Sequence, residues 1–153
     1  MDVALVHPFV ESIASIMPQL GFSNVQPGQV QTLANKLTNT GVIIIVGIVG
    51  DIKGNVAYHM DYQSAGVVAG TMMMSEPLTE LDDMAQSALS ELANMLAANT
   101  TTLLANIGHT TDITTPTLLQ GSNISIKLNA ENIYCVLCAV DGIHITIYIS
   151  LEK

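Results

Sequence analysis

The sequence predicts an α/β fold of the α+β kind: a mainly antiparallel β-sheet from two pseudo-symmetric halves, layered with helices, one of them long and exposed. Three observations carry this. In residues 143–152, Ile143, Ile145, Ile147, Ile149 and Leu151 alternate with His144, Thr146, Tyr148, Ser150 and Glu152, the period of a strand with one apolar face. In residues 85–103, Ala85, Ala88, Leu92, Leu96 and Leu103 recur at helical spacing. Two glycine-marked turns, Gly50-Asp51-Ile52-Lys53-Gly54 and Asp141-Gly142, each join two β-rich segments. No Pro/Gly/Ser-rich linker or charge run divides the 153 residues, which read as a single domain over 1–153.

In chain order, the first helix is expected over about residues 8–17, with Pro8 at the first helical position, Pro18 beyond the end, and Phe9, Ile13 and Ile16 facing the core. Residues 42–50 and 55–61 form the first hairpin, followed by a short apolar helix over 64–74. The long helix is expected from near Thr79, with Asp82 three residues on as a capping-box variant, to Gly108. Strand-like segments at 112–120 and 124–128 precede a second hairpin, 133–140 with 143–151, whose Asp141-Gly142 turn favours type I′. Each half thus runs helix, polar strand-like segment, hydrophobic hairpin, as a duplicated unit with pseudo-two-fold symmetry would. The repeat is imperfect: if Glu11 matches Glu91, Ala14 stands where Asn94 does.

Composition narrows the function. The net charge is −9, the only basic residues besides histidine are Lys36, Lys53, Lys127 and Lys153, and no basic stripe is available for a phosphate backbone, so nucleic acid is excluded as a partner. The longest apolar run, 42–49, is far short of the roughly 20 residues that span a bilayer, so no membrane insertion is expected. Asp2 and the lack of early Lys or Arg do not fit a signal peptide, which leaves a cytoplasmic protein. With 49% hydrophobic and only 11% charged residues, the chain is expected to bury further apolar surface as a homodimer.

Several chemistries lack support. Cys135 and Cys138 spell C-x-x-C, but within a strand their odd separation sends them to opposite faces, and no second Cys pair exists to complete a zinc site. They read as small packed hydrophobes. His7, His59, His109 and His144 are scattered; His109-x-x-Asp112 could supply two ligands where a metal site wants three or four, so no metal is assigned. Met72, Met73 and Met74 read as core filler. Nucleotide-binding and serine-hydrolase glycine motifs are absent.

One polar pattern remains. Ser87, Glu91, Asn94 and Ala98 lie at i, i+4, i+7 and i+11, which at about 100° per residue places them on one narrow stripe opposite the apolar face. An ordinary solvated helix face would also look like this. Two details favour a site: asparagine is a poor helix former where better ones would serve, and Ala97 and Ala98 keep the ridge low beside Asn94. An amide has no useful basicity but can hold a water by accepting and donating hydrogen bonds, and a glutamate one turn away can pair with a partner's lysine. With no arginine clamp or metal cage, a phosphate substrate would have to bring its own metal and lysine.

Ser87-Ala-Leu-Ser-Glu91-Leu-Ala-Asn94 resembles the [DS]-x-x-x-E-x-x-N signature of the CheC/CheX/FliY chemotaxis phosphatases, and Pro116 in Asp112-Ile-Thr-Thr-Pro-Thr117 resembles the proline that follows some twenty residues later. Val46-Gly47-Ile48-Val49-Gly50, the Gly54 turn and the closing hairpin are similar to the CheX branch, and the likeness covers nearly the whole chain. One intact motif rather than two fits that single-site branch. The resemblance implies a phosphatase of phosphorylated CheY-like response regulators and a homodimer whose sheets join. Asn94 would place an in-line water, Glu91 would bind the regulator's active-site lysine, and Ser87 and Ala98 would serve docking. No cofactor of the chain's own is implied, the Mg2+ being carried by the phosphorylated regulator. Thr115 sits where some relatives show another proline. The alternative is a catalytically weak or inactive docking module for a regulator or flagellar-switch protein; a sensor using His109, Asp112 and the cysteines is a third reading.

Overall fold

Two long strands, β1 (Val25–Gly50) and β4 (Thr117–Val140), organise the sheet by pairing antiparallel from Val25 opposite Val140 at one end to Ile45 opposite Thr117 at the other. The computed structural model describes residues 3–152, so Asp2, used above to read the N-terminus, and Lys153 lie outside the described residues. β1 turns at Asp51 and Ile52 into β2 (Lys53–Met60), and β4 turns at Asp141 and Gly142 into β5 (Ile143–Glu152). β2 and β5 pair with each other, Lys53 opposite Glu152 through His59 opposite Thr146. The order β2-β5-β4-β1-β3, with β1 returning to β2, closes β1, β2, β5 and β4 into a ring of antiparallel pairings. The short β3 (Thr111–Ile113) pairs with the end of β1.

Each long strand is longer than the sequence pattern suggested, because it fuses the polar segment of a half with the first strand of that half's hairpin. Pairing between backbones needs no apolar alternation, so 25–39 and 121–130 become strand despite their polarity. The middle of the ribbon, bulged between Ala34 and Lys36 and between Asn39 and Gly41, brings Leu37, Ile124, Ile126 and Leu128 against Ile43, Ala57, Ile133 and Tyr148. Asn39 donates to Tyr148 Oη (3.1 Å), and Ala130 N–H donates to Ser150 Oγ (3.2 Å). That cover is why Tyr148 and Ser150, on the face expected to be polar, are buried.

The other face of the sheet carries the main core. There α1 (His7–Gln19), α2 (Tyr62–Met72) and α3 (Asp83–Asn106) set Phe9, Ile13, Ala65, Leu89, Leu92 and Leu96 on Ile44, Val46, Val56, Tyr58, Ile145 and Ile147. Pro18 lies inside α1 rather than past it; in the last turn its missing N–H costs one hydrogen bond and the helix runs one residue on. The Met run is not all core: Met72 and Met73 are half-buried, whereas Met74 is 95% exposed. On α3 the buried arc centres on Leu89, Ala93, Leu96, Ala97 and Leu104, leaving Ala88 and Leu103 half-buried at its edges.

α3 starts later than Thr79. Asp82 is the cap: its backbone is extended and its carboxylate accepts Ala85 N–H at 2.9 Å. Leu78 N–H donates to Gly66 O (3.1 Å), an approach of loop to α2 that only a residue without a Cβ permits, so the preceding loop lies on α2 instead of coiling. At the far end Gly108 has φ +95°, the left-handed stop expected of it. The rotation of α3 about its axis is fixed by buried hydroxyls. Ser12 and Thr100 meet at 2.9 Å, Ser12 Oγ also donates to Pro8 O (2.8 Å), Thr100 Oγ1 to Leu96 O (2.9 Å), and Asn99 Nδ2 donates to Ser12 Oγ (3.2 Å).

The turns repeat across the halves. Asp51 N–H donates to Thr110 O (3.0 Å) while its carboxylate accepts Thr110 N–H (2.8 Å). Asp141 N–H donates to Asn24 O (2.9 Å) while its carboxylate accepts Asn24 N–H (2.7 Å) and Ser23 N–H (2.9 Å). Each hairpin turn thus grips the segment that follows the other half's helix. Asp141 and Gly142, at φ +48° and +86°, match the expected type I′ turn.

Replacing Asp82 by alanine leaves the first turn of α3 one acceptor short and should cost about 1 kcal/mol, read as a lower urea midpoint at unchanged slope. Tyr58 presents the opposite case: its ring is buried and its hydroxyl has no hydrogen-bond partner among the described residues. Tyr58→Phe removes an unmet desolvation cost and should raise stability by about 1 kcal/mol in the same titration.

Candidate active site

The polar stripe of α3 and the segment between β3 and β4 face one another across an open groove of about 710 Å³. One wall is helical: Asp83, Gln86, Ser87, Ser90, Glu91 and Asn94. The other is formed by Ile113, Thr114, Thr115, Pro116 and Leu118. Of the sequence candidates, Ser87, Glu91 and Asn94 are brought together here. Ala98 is exposed on the same stripe one turn beyond Asn94, outside the groove lining, and its carbonyl accepts Thr101 Oγ1 (2.6 Å). Gln86, Ser90 and Asn94 form a second row at i+4 spacing that turns toward the loop wall; the spacing was readable, but polar rows on exposed helices are common.

The second wall is held by β1. Ile48 pairs with Ile113 and Ile45 with Thr117, so residues 114–116 leave the ladder between two fixed points. Within that gap Thr114 N–H donates to Gly47 O (3.0 Å), and Gly47 N–H donates to Thr114 Oγ1 (2.9 Å). A Cβ on residue 47 would lie 2.7 Å from Thr114 Oγ1 and 2.9 Å from Thr114 Cγ2, so the glycine is what lets the threonine seat. Nothing in local sequence spacing singles out Thr114, because its partner is 67 residues away.

Glu91 is exposed and Asn94 half-buried. Neither side chain has a hydrogen-bond or ion-pair partner among the described residues. Their counterpart in the first half differs: Glu11 is paired with His7 at 3.5 Å, and exposed Ala14 follows it. The two ionisable residues lining the groove, Asp83 and Glu91, are both acidic. The groove therefore offers hydrogen bonds and negative charge, and a bare phosphate would meet no cation there.

The other candidates stand elsewhere. His109 lines a separate cavity of about 500 Å³ with His7 and Glu11, while Asp112 accepts the N–H of Ile113 (2.8 Å), so the two do not act as a pair. Among the described residues no three His, Cys, Asp or Glu side chains are grouped as metal ligands. Cys138 is buried toward the helices and Cys135 half-buried toward the ribbon. Both are free thiols; burial pushes Cys138 up to about 11 and raises Cys135 as well, which holds them protonated at neutral pH. No helix among the described residues is long and apolar enough to cross a membrane.

Comparison with known proteins places the chain in a family. The chain is 28% identical over 127 residues to the CheY-P phosphatase CheX of Thermotoga maritima, covering 83% of this chain and 82% of that one. Its fold is similar to that of CheX from Desulfovibrio desulfuricans, with a TM-score of 0.87 and 21% identity over 97% of this chain and 99% of the other. It is also similar to a chain of the CheX–CheY–BeF3–Mg2+ complex from Borrelia burgdorferi, with a TM-score of 0.78 and 27% identity over 97% of each. The family model for the chemotaxis phosphatase CheX matches residues 42–139, a stretch that holds the β1–β2 hairpin, the whole of α3 and both walls of the groove, and the chain belongs to that family.

Proposed function

We propose that this chain accelerates hydrolysis of the aspartyl phosphate of a phosphorylated CheY-like response regulator, with Glu91 and Asn94 as the catalytic pair. The observation that carries the reading is that both stand unpartnered on one stripe of a packed helix, at the mouth of a groove that has no cation of its own. The Thermotoga relative's name and the CheX–CheY complex from Borrelia support it.

The chemistry asked of the chain is small. Water oxygen attacks phosphorus, the bond from phosphorus to the aspartyl oxygen breaks, and the carboxylate leaves with its electron pair; the water's proton passes to phosphate or solvent. Asn94 cannot act as a base, but its amide oxygen can accept a hydrogen bond from the water and its NH2 can donate to a phosphoryl oxygen, which orients attack. Fixing that geometry converts a random encounter into a prepared one; a hundredfold gain requires only about 2.7 kcal/mol. Glu91 pairs with a lysine of the regulator and sets docking register. Mg2+ arrives with the regulator as part of the substrate. Ser87 and Ala98 leave the stripe low enough for close contact.

The docked form is also proposed to be a homodimer. Residues 25–34 of β1 pair only with β4, leaving their outer edge free, with Val30 and Leu33 exposed on it.

Decay of the phosphorylated regulator from the same organism, followed with catalytic amounts of this chain, should be about a hundredfold faster than alone. Asn94→Ala should remove most of that gain while regulator binding persists. Glu91→Ala should weaken kcat/KM by roughly 10- to 100-fold, an effect that shrinks as salt rises. Binding without acceleration in the wild-type chain would make it the docking module instead. Sedimentation at micromolar concentration should give twice the chain mass.

A further inference from the structure

We infer that Thr114 is a positioning residue for Asn94, clamping the groove wall that confines the catalytic amide; the inference rests on the phosphatase reading above. Asn94 poses a problem that its helix does not solve. The terminal torsion of an asparagine is broad, and this amide has no hydrogen-bond partner among the described residues to select one orientation. It is nevertheless half-buried, and across the groove from it stands the segment 113–116. In this reading the set of that wall, rather than a hydrogen bond, narrows the space open to the amide before the substrate arrives.

The wall itself is three residues of loop between two ladder pairs, and such a segment is free to swing outward unless tied. Thr114 ties it twice to one residue, its N–H to Gly47 O at 3.0 Å and its Oγ1 receiving Gly47 N–H at 2.9 Å. Both polar groups of the Gly47 backbone are thus committed to the clamp, and residue 47 can have no Cβ because the hydroxyl and methyl of Thr114 occupy that space. Losing the side-chain half of the clamp hands Gly47 N–H to solvent and loosens the wall. Docking through Glu91 and the outer stripe would be little affected, so the loss should fall on kcat and spare KM.

The test compares Thr114→Val, which keeps the shape but cannot accept, with Thr114→Ser, which keeps the acceptor. Both are assayed on the phosphorylated regulator with kcat and KM separated, and the order parameter of the Asn94 side-chain amide is measured by NMR in the free protein. Thr114→Val should lower kcat by roughly 5- to 20-fold with KM within about twofold, and lower the order parameter. Thr114→Ser should return both to within about twofold of wild type. In an Asn94→Ala background the valine should add nothing, since it acts through the amide. If Thr114→Val unfolds the chain, Gly47→Ala, which displaces the same hydroxyl from the other side, should give the same kcat-selective loss. Wild-type kcat and an unchanged order parameter in Thr114→Val, or a valine effect undiminished without Asn94, would overturn the clamp and leave the phosphatase reading standing. A wild-type chain that fails to accelerate decay overturns that reading, and the order parameter then decides the clamp by itself.

Discussion

Each half of this sheet supplies the edge partner of the other. The first part of β1 pairs with the last part of β4, the last part of β1 pairs with the start of β4, and β2 and β5 meet between them. A strand with an apolar face cannot slip by one residue without turning that face to solvent. Here Val42, Ile44, Val46 and Ile48 face the helices while Ile43 and Ile45 face the ribbon. Because both faces of this run are apolar, alternation alone does not set the register; the seat of Gly47 against Thr114, where no Cβ fits, pins it. The position of residues 114–116 is a consequence of that register, because they bridge the pairs Ile48–Ile113 and Ile45–Thr117. The groove exists where it does because this alignment brings Thr114 to Gly47, 67 residues away in sequence.

The same alignment bears on why the scaffold carries one candidate stripe and not two. Asp51 grips Thr110 and Asp141 grips Asn24 in the same way, so the two hairpin turns are anchored alike. What differs is side-chain chemistry on the helices. In α1 the glutamate is engaged by His7 and an alanine occupies the later position; in α3 the glutamate is unengaged and an asparagine follows. Function here belongs to a few residues laid on a fold that tolerates their absence.

How much of this could be read from the sequence depended on the range of the interaction. Helix periodicity, the two hairpins, the Asp141-Gly142 turn and the Ser87-Glu91-Asn94 stripe are local patterns, and they were legible. The opposite facing of Cys135 and Cys138 followed from strand geometry alone. Length of strand was not legible, since the polar stretches of β1 and β4 become strand only by pairing with each other across the chain. The burial of Tyr148 and Ser150 was hidden for the same reason: their cover comes from a ribbon whose course no local pattern records. The start of α3 was misread at Thr79 because two cap residues compete there, and contact of the loop with Gly66 decides in favour of Asp82. Of the groove, the helical wall was visible and the resemblance picked out Thr115 and Pro116 of the facing wall, but not the seat of Thr114 on Gly47.

The acidity of the groove bears on which phosphate the proposed site accepts. Two negative side chains line it and the chain carries −9 overall, so a free acyl phosphate or inorganic phosphate meets repulsion with nothing to offset it. A phosphorylated regulator presents the same phosphoryl group already neutralised by Mg2+ and flanked by a lysine, and for that combination a lone carboxylate is an attractive neighbour. On the proposed reading, the acidic lining favours a phosphate delivered inside another protein over a free one. The same reading asks little of the chain: the partner would bring the electrophile and its charge compensation, and the chain would add a register and an oriented water. A cation built into the groove would bring back affinity for free phosphate and pair with Glu91 itself, removing the carboxylate that the partner's lysine needs.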